Sequence, residues 1–198
     1  MNFLAHLFLA GPPTAPDYTG LAVGQFIADS VPGRQLENYP PAVQAGIRLH
    51  RAIDTFTDQH PVVRRSTQRL REAGYGKYAG VVSDIFLDHF LAHNFSEYTA
   101  EPLPVFTQRL YALLKTQQAI MPERAQRTLH YMALHDWLRG YASLEGIGRA
   151  LNGLSQRALP GSGMETAGEE LQRNYTAYEA DFREFFPELQ ELVASILL

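Results

Sequence analysis

Cysteine is absent from the 198-residue chain, which excludes thiol catalysis, disulfides and cysteine-ligated zinc or iron–sulfur centres. The remaining metal ligands are seven histidines and the carboxylates. Basic residues are outnumbered, 17 Lys and Arg against 21 Asp and Glu, so the global positive field of a non-specific nucleic-acid binder is missing and no nucleic-acid partner is expected. Long uncharged runs are missing too. The apolar opening from Met1 to Ala10 is interrupted by His6 and is too short to span a bilayer, and Leu192 to Leu198 is shorter still. A soluble protein with no membrane partner is expected, with the cytoplasm as the default compartment. There is no Walker loop, no GxSxG elbow and no dinucleotide-binding glycine fingerprint, which removes nucleotide-cradling and serine-hydrolase readings. What is plentiful is apolar side chain. At 45% hydrophobic residues the chain can build one sizeable core in a single domain, residues 1–198.

Proline and glycine cut that apolar material into helix-length pieces. Helices are expected over Asn2–Leu9, Thr19–Ser30, Pro41–Asp58, Val62–Ala73 and Tyr78–Phe95, the last two separated by the Gly74-Tyr75-Gly76 breaker. Further helices are expected over Val105–Thr116, Pro122–Trp137 and Leu144–Leu154, with a final one from Glu165 to Leu197 kinked at Pro187. No segment alternates convincingly as a strand, and no repeat or linker marks a second domain. The expected fold is an all-α, single-domain bundle of about eight helices.

Chemistry shows as polar residues set on apolar helices. His50, Asp54 and Asp58 recur at i, i+4 and i+8, so an imidazole and two carboxylates share one stripe, as an oxygen- and nitrogen-liganded divalent cation needs. The same spacing also suits an exposed face paired with Arg51 or Arg64. Between Ala79 and Ala92 the sequence is apolar on nearly every side, yet it carries Asp84 and Asp88 and no Lys or Arg. Buried carboxylates of that kind need a cation, or donors from other helices. With Asp29 at the end of another apolar run, these residues suggest that Asp29, His50, Asp54, Asp84 and Asp88 surround one cation. His89 can be a ligand, a general acid or a packed core histidine, and His6, set among Leu4, Leu7 and Phe8, has the same ambiguity. The dipeptide His135-Asp136 carries less, because adjacent helical residues point about 100° apart.

Charge is uneven along the chain. Seven basic residues oppose three acidic ones between Arg48 and Lys77, a local +4, whereas eight acidic residues oppose two basic ones between Glu165 and Glu191. Arg64, Arg65, Arg69 and Arg71 are either a solvated face or a dock for an acidic partner.

Several blocks carry a family resemblance: Asn2-Phe3-Leu4-Ala5-His6-Leu7, Gly24-Gln25-Phe26-Ile27-Ala28-Asp29, Ala45 to Asp54 with Thr57-Asp58, and Asp84 to Leu91. Trp137-Leu138 and Leu151-Asn152-Gly153 continue the match over nearly the whole chain. The chain closely resembles the acyl carrier protein phosphodiesterase (acyl carrier protein hydrolase) family. The resemblance implies an all-α fold like a distorted His-Asp (HD) phosphohydrolase domain, and a divalent metal such as Mn2+, with Mg2+ or Fe2+ as alternatives. It implies holo acyl carrier protein as the protein substrate, cleaved at the phosphodiester joining 4′-phosphopantetheine to a serine. The family's pattern maps onto His6, Asp29, His50, Asp54, Asp58, Asp84, Asp88 and His89. Asp29, His50, Asp54, Asp84 and Asp88 are assigned to the metal, and His6, Asp58 and His89 to catalysis. His6 or His89 would protonate the leaving oxygen, an unperturbed imidazole titrating near ~6.5. The other readings of the residues are an HD-like phosphohydrolase of a small phosphoester or nucleotide, and a non-catalytic helical module that binds an acidic protein.

Overall fold

The structure is a computed structural model and describes residues 1–197. Its elements begin where the punctuation requires. Pro41 and Pro61 stand at the first positions of α3 (Pro41–Gln59) and α4 (Pro61–Leu70), where a missing N–H costs nothing. These follow α1 (Phe3–Phe8) and α2 (Tyr18–Ile27) and precede α5 (Ala79–His93) and α6 (Leu103–Thr116). The chain closes with α7 (Glu123–Leu134), α8 (Trp137–Gly140), α9 (Leu144–Ser155), α10 (Ala167–Arg173) and α11 (Tyr175–Leu197). Among the described residues there is no strand, and no helix is long and apolar enough to cross a membrane.

The all-α expectation holds, with eleven α-helices among the described residues rather than about eight. Two of the differences have local causes. The helix expected from Pro122 to Trp137 stops at Leu134, because Asp136 takes a left-handed backbone (φ 45°) and restarts the chain as α8. The long final helix is divided at Asn174, and α11 then runs through Pro187.

The apolar segment expected to be central is α5, which buries Ile85, Phe86, Phe90 and Leu91 along with Asp88 and His89. Its first half is more open, with Val81 exposed and the side chain of Asp84 about a third exposed (34%). Aromatic side chains of α11, Phe182, Phe185 and Phe186, complete the core without solvent contact.

Two joints position the candidate site. The α2–α3 contact is a near backbone-to-backbone approach: a Cβ on Gly24 would lie 2.2 Å from the Val43 carbonyl oxygen, and one on Gly46 would lie 2.3 Å from that of Leu21. Only glycine permits that separation. The second joint is the N-terminus of α1, a six-residue helix whose exposed amides are met from outside by the Asp88 carboxylate. Asp88 Oδ2 accepts from the amide of Leu4 (2.8 Å), and Oδ1 accepts from those of Ala5 (3.2 Å) and Asn2 (3.3 Å).

Candidate metal centre

These joints bring His6 of α1 and His50 and Asp54 of α3 to one point. One ligand atom from each lies within 4.8 Å of the others. The imidazoles of His6 and His50 stack at 3.8 Å between centroids, nearly parallel. The i, i+4 spacing performs as expected: His50 Nε2 is 3.1 Å from Asp54 Oδ2. His6 Nε2 is 3.1 Å from the other oxygen, Oδ1. Asp29, just past the end of α2 and largely exposed, reaches within 3.3 Å of His50 Nε2.

The outward nitrogens of both rings are fixed by a single residue, Gln25. His6 Nδ1 donates to the side-chain carbonyl Oε1 of Gln25 at 3.0 Å, and His50 Nδ1 donates to its main-chain carbonyl at 2.9 Å. With the protons on Nδ1, both Nε2 lone pairs face the carboxylates of Asp54 and Asp29. Two lone pairs aimed at anionic oxygens require either a proton or a metal ion between them, and a second hydrogen bond that sets the tautomer is the usual support of a ligating histidine. The donor set therefore fits a divalent cation. In the ion-free protein, burial and the neighbouring His50 push His6 down to about 4, against its bond to Asp54. Burial also works to lower His50, but its bonds to Asp29 and Asp54 outweigh this and hold it up at about 9. The cluster thus retains a proton on His50, while the two histidines hold Asp54 well below the ordinary carboxylate range despite its partial burial.

Positive charge is also present beside Asp54. The α-amino group of Met1 lies 3.0 Å from Asp84 Oδ1 and 3.7 Å from Asp54 Oδ1, linking the α5 carboxylate to the cluster. Asp84 also lines two concavities. One is a cleft of about 730 Å³ between α4 and α5, walled by Arg64, Arg65, Gln68 and Arg71, with Asp58 beside Asp84. The other, about 640 Å³, also reaches Asp29 and runs along α5, α8 and α9.

Not every candidate joins the cluster. Asp88 was expected to be a metal ligand; it lies outside the three-residue cluster, and its oxygens accept from the amides of Asn2, Leu4 and Ala5 at the start of the helix that carries His6, while burial pushes it up to about 7, opposed by those amides. His89 was expected among the catalytic residues and is a packed histidine: Nδ1 donates to the Tyr141 carbonyl (2.8 Å) and Nε2 accepts from the Tyr175 hydroxyl (3.0 Å). Of the four arginines assigned to partner binding, two are engaged within the fold. Arg65 Nε donates to Asp181 Oδ1 at 2.8 Å and Arg69 to its Oδ2 at 2.9 Å, while Ser66 Oγ donates to Oδ2 at 2.6 Å. Arg64 and Arg71 remain exposed on the cleft and pair with no carboxylate among the described residues. Gln25 was missed. The available signal was an amide directly preceding the apolar run Phe26-Ile27-Ala28, where a buried polar group needs partners.

Fold and site together define an all-α protein with a His-His-Asp donor set suited to a divalent cation. The chain belongs to the acyl carrier protein phosphodiesterase family, whose profile matches residues 1–189. Proteins named acyl carrier protein phosphodiesterase from Serratia proteamaculans and from Escherichia coli O6:H1 are each 33% identical to it, over 96% of both chains. One from Photorhabdus laumondii is 33% identical over 96% of this chain and 94% of its own. No solved structure matches the chain.

Proposed function

We propose that the protein hydrolyses the phosphodiester between a serine of holo acyl carrier protein and 4′-phosphopantetheine, releasing apo acyl carrier protein and 4′-phosphopantetheine. The observation that carries this reading is the pair of imidazoles whose Nδ1 atoms are both satisfied by Gln25 and whose Nε2 atoms both face carboxylates. His6, His50 and Asp54 would hold the cation, with Asp29 and Asp84 at its edge, and the mixed nitrogen and oxygen donors favour Mn2+, with Mg2+ or Fe2+ as alternatives. A bound divalent cation supplies charge neutralisation at the phosphoryl oxygens and a more acidic water at neutral pH.

The chain's own residues supply the rest. Asp58 and Asp84 share the cleft beside the cluster and are placed to accept the proton of the attacking water. As the water oxygen bonds to phosphorus, the bond to the serine oxygen breaks, and the proton held by the carboxylate passes to that oxygen. His89, closed off by Tyr141 and Tyr175, and His6, held by Gln25 and Asp54, have no ring nitrogen left for that transfer. Arg64 and Arg71 present positive charge to an acidic carrier protein at the rim of the same cleft.

The test is mass spectrometry of holo acyl carrier protein incubated with the protein and Mn2+. Loss of the phosphopantetheine mass is expected. Asp54→Asn is expected to abolish that loss and the retention of Mn2+ together, with helicity unchanged. An active Asp54→Asn protein that holds no metal would refute the assignment.

A further inference from the structure

The cavity of about 640 Å³ reaches Asp84 and Asp29 at the edge of the metal cluster, and Asp84 is the one residue it shares with the lining of the basic cleft. Its size falls within the ~300–1,000 Å³ of small-molecule sites. Phe3, Val81, Ile85, Trp137 and Leu154 give it an apolar wall. Hydrogen-bonding groups interrupt that wall at Asn2, whose Nδ2 donates to the Tyr141 hydroxyl at 3.0 Å. Two arginines border it: Arg149 is paired with Glu145, while Arg157, whose Nε donates to the Gly153 carbonyl at 2.9 Å, pairs with no carboxylate among the described residues. The cavity therefore offers apolar contact area and a few polar anchors, with one arginine free of a carboxylate at its border. Such a lining suits a flexible, largely apolar chain that carries amides. Its floor is rigid where α8 meets α9, since a Cβ on Gly146 would fall on the carbonyl of Gly140. Gly153, by contrast, faces open space.

We propose that this cavity receives the uncharged pantetheine arm of the substrate, with the phosphodiester at Asp84 between the arm and the carrier protein seated on the basic cleft. The proposal rests on the phosphodiesterase reading for the identity of the arm. It orients the substrate: the protein lies towards Arg64 and Arg71, and the thiol end lies towards α8 and α9.

Trp137 is the chain's single tryptophan and lines the cavity, so its fluorescence reports occupancy without any turnover. Pantetheine, which lacks the phosphate, is expected to produce a saturable change in that fluorescence. A Cβ at Gly153 meets nothing within 4 Å, and Gly153→Phe is expected to weaken pantetheine binding by about tenfold or more. In the same variant, the ratio of kcat/KM on holo acyl carrier protein to that on bis(p-nitrophenyl) phosphate is expected to fall by a similar factor. Absence of any pantetheine response in the unaltered protein would overturn the proposal. So would a Gly153→Phe protein that binds pantetheine and discriminates between the two diesters as the parent does. Saturable pantetheine binding without cleavage of holo acyl carrier protein would support the cavity assignment while refuting the phosphodiesterase reading.

Discussion

At the scale of single residues, the site depends on where protons are forced to sit. Gln25 accepts from both imidazoles, one through its side chain and one through its backbone, so only the first contact can be removed by substitution. Gln25→Leu is expected to lower Mn2+ affinity by about 10–100-fold, the usual effect of losing such a supporting bond. The Gln25 Nε2 group is buried without a partner, but loss of Oε1 leaves the buried His6 Nδ1–H unsatisfied, so a stability loss of about 1–3 kcal/mol is expected, and calorimetric titration beside a thermal melt separates the two effects. His50 and Asp54 were legible in the sequence because a four-residue interval on a helix fixes a shared face. The role of Asp88 was not, for a physical reason. Its apolar surroundings announce that a carboxylate needs partners, but helical periodicity cannot say whether those partners are a cation or the amides of a helix more than 80 positions away. His89 shows the same limit, because its partners come from α11 and from the turn after α8.

At the scale of elements, the α2–α3 approach delivers the Gln25 carbonyl to His50, and the glycines on both helices set the separation. Gly46→Ala places a methyl group against backbone that cannot yield. It is expected to cost about 1–3 kcal/mol and to lower metal retention as well, as read by melting temperature and metal content. Such close packing leaves no sequence mark beyond the small residues Gly20, Gly24, Ala42 and Gly46 themselves. The α4–α11 joint is electrostatic. Asp181 is buried, which alone would raise its carboxyl, but Ser66, Arg69 and Arg65 outweigh this and lower it. A carboxylate whose pKa is lower in the folded than in the unfolded state stabilises above its unfolded value and loses that stabilisation as pH falls through the folded one. Asp181→Asn is therefore expected to melt earlier than the parent at neutral pH, by about 1.5–3 kcal/mol, with the difference closing as pH drops below the ordinary aspartate range. A gap that persisted undiminished in acid would assign the loss to packing instead. The excess of positive charge between Arg48 and Lys77 was visible in sequence, but its division between this joint and the cleft was not, because it depends on which helix covers α4.

At the scale of the whole molecule, a basic cleft and a largely apolar cavity meet at Asp84 beside the cluster, and the contrast between those surfaces would set how a composite substrate enters. Arg64→Glu with Arg71→Glu is expected to lower kcat/KM on holo acyl carrier protein and to flatten its salt dependence, since rim charges act on encounter and are screened over about 8 Å at physiological ionic strength. Stopped-flow association measured across a salt series would show whether the loss lies in the encounter rate. The same replacements at Arg65 and Arg69 should instead lower the melting temperature, because those side chains hold α11. A different consequence follows from the length of α1. Six residues are too few for a helix to persist alone in water, so α1 exists only while docked against Asp88 and the core. His6 therefore reaches His50 only after distant stretches of chain have met, and a partly folded chain contains no complete donor set. Cation uptake would then be a late event that selects finished molecules, and added Mn2+ is expected to slow the release of α1 amides to hydrogen exchange before it alters exchange elsewhere in the fold.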